Sequence, residues 1–109
     1  MNSRKSLYDV NSFYNKKAVL KASFKGMRYQ VEKVEDEENS ARLRATVWSE
    51  PFCFEKTPDN YKQTKEFACE ESGLDDAYNW ICERYDSDKD KWEHAMRFPL
   101  DTAKAMGII

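Results

Sequence analysis

The sequence predicts a two-layer α+β domain. A four-stranded antiparallel β-meander carries a C-terminal amphipathic helix on one face, followed by a second short helix. Three observations predict this. Residues 17–34 separate into an apolar and a polar set about Lys25-Gly26. Arg42 to Trp48, RLRATVW, alternates in the same way. Ser72 to Tyr85, SGLDDAYNWICERY, places Leu74, Ala77, Tyr78, Ile81, Cys82 and Tyr85 on one helical stripe.

Residues 1–15 show no strong period and read as an N-terminal arm that rests Tyr8 or Phe13 loosely on the body; residues 16–109 read as one domain. Lys17 to Val34 is a hairpin, with Gly26 supplying a positive φ at the turn. Pairing across that turn sets Phe24 opposite Met27, Ala22 opposite Tyr29 and Leu20 opposite Val31, an apolar face throughout. The other face carries Ser23 with Arg28, Lys21 with Gln30 and Val19 with Glu32. A one-residue slip would invert both faces, so the register is strongly specified.

EDEENS, residues 35–40, is an acidic turn. In the third strand Leu43, Ala45 and Val47 point one way, and Arg42, Arg44, Thr46 and Trp48 the other. Pro51 interrupts the pattern and opens a connection with Phe52 and Phe54; Pro58-Asp59-Asn60 reads as a turn. Lys62 to Cys69 is a fourth strand, with Phe67 and Cys69 toward the helix and Lys62, Thr64 and Glu66 away from it. Ser72 is the expected N-cap of the main helix, with Asp75 completing an approximate capping box. Ser87 and Asp90 repeat that signal before a short helix over about 88–97, which Pro99 ends. The tail is expected to add a turn or two before Gly107.

The net charge of −2 conceals an asymmetry: residues 1–33 hold eight Lys/Arg against two acids, and residues 34–109 hold ten against eighteen. The overall acidity argues against general nucleic-acid affinity while leaving room for a local basic face. The three cysteines, Cys53, Cys69 and Cys82, show no CxxC spacing and read as reduced thiols of a cytoplasmic protein. No apolar stretch suits a signal peptide or a membrane span. No Gly-rich phosphate loop is present, and no cofactor or metal is expected. His94 is the single histidine and has no sequence-adjacent catalytic partner, so the reading is non-enzymatic.

Two candidate surfaces of opposite charge remain. The face turned away from the helix gathers Lys17, Lys21, Arg28, Arg42, Arg44, Trp48 and Lys62, cations around an aromatic, which suits single-stranded nucleic acid. Its bland alternative is a solvated sheet face, on which Glu32 and Glu66 weaken the field. The second surface is the acidic helix face, Asp75, Asp76 and Glu83, together with Phe52 and Phe54 at a strand edge, which suits a protein partner. The alternative for Phe52 and Phe54 is that they close one end of the core beneath the helix. Trp80 lies beside the apolar stripe, placed either to pack on Trp92 or to form a dimer contact.

A strand ending in TVW, then KQTKEF running into a helix, resembles in topology the single-stranded-DNA-binding transcriptional-coactivator fold over residues 17–85. That resemblance implies a curved basic sheet and a helix-mediated homodimer, with Lys21, Arg28, Arg42, Arg44 and Trp48 at the matching positions. The net acidity and the extra C-terminal helix depart from that pattern. The run ATVWSEPFCFEKTPDNYKQTKEF with GLDDAYNWI also resembles small accessory proteins of bacterial mobile elements. That likeness transfers no activity; it adds a third reading, an inhibitor of a host nucleic-acid-handling or defence system.

Overall fold

The computed structural model describes residues 2–4, 7, 19–35, 38, 40–50 and 52–107. Most of the predicted arm, including Tyr8 and Phe13, lies outside the described residues, as do Lys17, Pro51 and much of the acidic turn. Four strands, β1 (Val19–Phe24), β2 (Met27–Glu35), β3 (Ala41–Ser49) and β4 (Lys62–Ala68), precede three helices, α1 (Glu71–Ser87), α2 (Lys89–Arg97) and α3 (Pro99–Ala105). The sheet is an antiparallel meander in the order β1-β2-β3-β4.

The predicted hairpin register is realised pair for pair, from Leu20 with Val31 to Phe24 with Met27. Lys25 and Gly26 both take positive φ, 44° and 92°, the signature of a type I′ turn whose twist matches the strands. Only glycine fits at the second position, because a β-carbon there would overlap the Trp92 carbonyl oxygen. The tip of the hairpin thus sits directly against α2.

One face of the sheet is apolar and meets the helices. Leu20, Tyr29, Val31, Leu43, Ala45 and Val47 pack on Leu74, Ala77 and Ile81 of α1, with Trp92 of α2 fully buried beside them. Tyr78, Cys82 and Tyr85 complete the stripe at half-buried positions. Trp80 packs on Phe67, with ring centroids 6.1 Å apart, and not on Trp92, whose indole N–H donates to the Arg84 carbonyl at 3.2 Å.

The predicted caps are not used. The helix α1 starts at Glu71, with Glu70 at the N-cap position and no side-chain cap. Gly73 explains the early start: its α-carbon lies so close to the Ala68 carbonyl that a β-carbon would collide with it, so the chain turns straight from β4 into the helix. The Ser72 hydroxyl donates to the Glu70 carboxylate at 2.8 Å, and Asp75 accepts from Arg4 at 2.6 Å. Ser87 likewise belongs to α1, and a single residue, Asp88, separates α1 from α2. Pro99 occupies the first turn of α3, following a break at Phe98.

The described part of the arm is held on the helix side of the sheet. The Asn2 amide donates to the Tyr29 hydroxyl at 2.8 Å, the Tyr78 hydroxyl donates to the Asn2 carbonyl at 2.7 Å, and Leu7 is buried in the core.

Candidate nucleic-acid interface

Strand alternation places the predicted basic residues on the sheet face opposite the helices. Two cross-strand rows carry most of them. Ser23, Arg28, Trp48 and Lys62 form the row nearest the hairpin tip, and Lys21, Gln30, Thr46 and Thr64 form the next. Arg44 follows between Glu32 and Glu66, and Arg42 lies beyond, opposite Val34 and Ala68.

This face is not bare. The connection between β3 and β4 folds back across it as a strap. The Trp48 indole N–H donates to the Phe52 carbonyl at 2.8 Å, and the Phe54 ring stands edge-on to the indole, 5.6 Å between centroids and 69° between planes. The Lys62 ammonium donates to the Phe54 carbonyl at 3.2 Å and lies 3.9 Å from the Phe54 ring centroid. Glu55 reaches the far edge strand and pairs with Lys21 at 3.6 Å. Within the strap, two backbone N–H groups and the Thr57 hydroxyl converge on the Cys53 carbonyl, which makes it a tight turn.

Three expectations are corrected by this strap. Trp48 is only 3% exposed, so its ring is not open for a base to stack on. Lys62 is held by Asp59 at 2.9 Å as well as by Phe54, leaving little of it toward solvent. Phe52 and Phe54 neither close the core beneath the helix nor join the acidic face; they lie on the opposite side of the sheet. The reason is that α1 and α2 already fill the helix side, so the aromatics of a long connection must find cover on the other.

The remaining cations differ in how they are engaged. Arg42 and Arg44 share Glu66, at 3.5 and 3.7 Å. Such exposed pairs are worth little and exchange readily for other anions. Arg28 has no carboxylate partner among the described residues, and its Nε is buried without a hydrogen-bond acceptor. It lines a cleft of about 300 Å³ with Lys21, Ser23, Trp48, Cys53 and Phe54. Beside it, Gln30 is 3% exposed, with its side-chain carbonyl oxygen unpartnered. A buried donor left unsatisfied costs ~1–3 kcal/mol.

Glu55 is the group that brings negative charge to this cleft. Its carboxyl is held below the usual carboxylate range by its own backbone N–H, then by the Cys53 thiol, then by the Lys21 ammonium. It is therefore ionised wherever the protein is folded at neutral pH.

The acidic set predicted on the helix divides. Asp75 and Glu71 both bind Arg4, at 2.6 and 3.1 Å. Asp76 and Glu83 have no ion-pair partner among the described residues and flank Trp80 in a concavity of about 420 Å³ with Lys65, Phe67 and Asn79. His94 stacks on Phe98, 5.0 Å between centroids, and lines a separate small cleft with Ser49, Tyr61 and Thr102. His94 and Cys53 are thus in different clefts. Burial pushes the Cys69 thiol up, against the pull of Lys33. Among the described residues, all three cysteines are free and no cluster of three or more His, Cys, Asp or Glu is placed to hold a metal ion. No described helix is long and apolar enough to cross a membrane.

Sequence reasoning missed Glu55 and Thr57. A signal was present: Glu50 to Tyr61 is far longer than a hairpin between neighbouring strands requires, and it carries two phenylalanines that must be covered somewhere.

No family model, curated protein or solved structure matches this chain.

Proposed function

We propose that this chain is a small binding module that holds single-stranded nucleic acid on the sheet face opposite its helices. Arg28, Arg42 and Arg44 take the phosphates, in a cytoplasmic setting that suits three free thiols. One observation carries the reading: Arg28 presents a buried, unpartnered guanidinium N–H beside an open cleft on that face. A phosphate oxygen is the acceptor such a donor lacks, and a guanidinium fits it in a planar fork. Arg42 and Arg44 continue the same face and release Glu66 when a phosphate arrives.

The test is fluorescence anisotropy of a labelled single-stranded DNA of mixed sequence, titrated at low and then at physiological salt. With three phosphates engaged, log affinity should fall against log salt with a slope of roughly −2. Arg28→Ala should weaken binding about tenfold, within the worth of a charged hydrogen bond. An Arg42→Glu/Arg44→Glu double change should abolish binding without unfolding the domain. No binding at low salt defeats the proposal.

A second reading has its own observation. Asp76 and Glu83, unpaired among the described residues and beside Trp80, form a surface for a basic protein segment, in keeping with an inhibitory accessory module. That function would survive the Arg42/Arg44 reversal and be lost on Asp76→Lys/Glu83→Lys.

A further inference from the structure

We infer that Phe54 and Glu55 occupy, from within the chain, a nucleotide site built by Trp48, Lys62 and Lys21, and that a bound strand displaces them. The inference rests on the nucleic-acid reading above and adds a base site to it. An aromatic ring followed directly by an anion has the chemistry of a base and its phosphate. Phe54 sets its ring edge-on against the Trp48 indole and beneath the Lys62 ammonium. Glu55 places its carboxylate on Lys21. A nucleotide would use the same three partners: stacking on Trp48, cation–π contact with Lys62 and an ion pair with Lys21.

The strap is built to yield at these two residues. The Glu55 side chain is 65% exposed; its own backbone N–H and the Cys53 thiol hold it within the turn, and its pairing with Lys21, itself 59% exposed, is of the weak surface kind. Phe54 is only half-buried, whereas Trp48 beneath it is almost fully covered. Phe54 and Glu55 are the inner residues of the turn that the donors converging on the Cys53 carbonyl close, so their side chains can swing away while those backbone bonds hold. The cleft that Arg28 lines opens directly beside Phe54 and gives a strand its point of entry.

An internal competitor lowers apparent affinity by the fraction of molecules in which it is displaced. Removing it should therefore tighten binding, the opposite of what removing a ligand contact does. The experiment compares wild type, Glu55→Gln and Phe54→Ala/Glu55→Gln, binding a labelled oligothymidylate and an abasic strand of equal length. Near-ultraviolet circular dichroism checks each fold. The double variant should bind oligothymidylate about tenfold tighter, as expected if the strap is open roughly one-tenth of the time. The abasic strand should gain less, because it cannot stack on the uncovered Trp48. If the Phe54 change unfolds the protein, Glu55→Gln decides, with an expected gain of about threefold from the loss of one competing charge. Wild-type binding that is unchanged or weaker in the variants overturns the inference and leaves the nucleic-acid reading standing. No binding by any form overturns both.

Discussion

The two faces of this sheet are covered by different physics. Toward the helices, aliphatic and aromatic side chains from β1 to β3 meet α1 and α2, and the contact is apolar. On the far face, the cover is one strap that meets Trp48, Lys62 and Lys21 through two carbonyls, one ring and one carboxylate. Apolar burial is non-directional and tolerates small shifts. A polar cover is directional, and its imperfections show. Of the three buried side-chain atoms without a partner among the described residues, Arg28 Nε and Gln30 Oε1 both lie on the strap face. The helix-facing sheet residues contribute none. The third atom, Arg84 Nε, belongs to α1.

That contrast can be tested from its strongest consequence downward. Trp92 is wholly buried between the hairpin tip and α1, so Trp92→Ala should cost about 3–5 kcal/mol, read as a lowered urea midpoint. A smaller loss than that of Arg44→Ala would end the claim that the helix side carries the stability. On the strap face the sign should reverse. Gln30→Met keeps the volume and removes an unpartnered carbonyl, so it should stabilise by about 1 kcal/mol in the same assay. Destabilisation would mean that the Gln30 amide is satisfied. The smallest effect belongs to Arg44→Ala, which leaves Glu66 with Arg42 and should stay within about 0.5 kcal/mol while still weakening DNA binding. These variants would separate stability from the proposed binding on the strap face.

Much of this fold was legible in the chain. The pairing of Leu20 with Val31 and Ala22 with Tyr29 followed from alternation about Lys25-Gly26, since only one register keeps the apolar residues together. The outward direction of Lys62, Thr64 and Glu66 followed from Phe67 on the opposite side. The α1 stripe predicted the burial of Leu74, Ala77 and Ile81. The caps were less legible. Ser72 carries a capping residue's chemistry, but Gly73 against Ala68 sets where the helix begins, and a close backbone approach leaves no periodic trace. The site was legible by half. Arg28, Arg42 and Arg44 fell on the predicted face, yet Trp48 and Lys62 are engaged by Phe54 from the same loop.

The sequence by itself determined which residues share a face, because burial follows the periods of strand and helix and each period is written locally. Only the tertiary structure decided which groups on those faces are already engaged. Glu55 reaches Lys21, Arg4 reaches Asp75 and the Gly26 turn meets Trp92 through separations that no local pattern encodes. Each depends on where a loop returns once the apolar layer has closed, and it is that return which turned an open basic surface into a cleft with a strap across it.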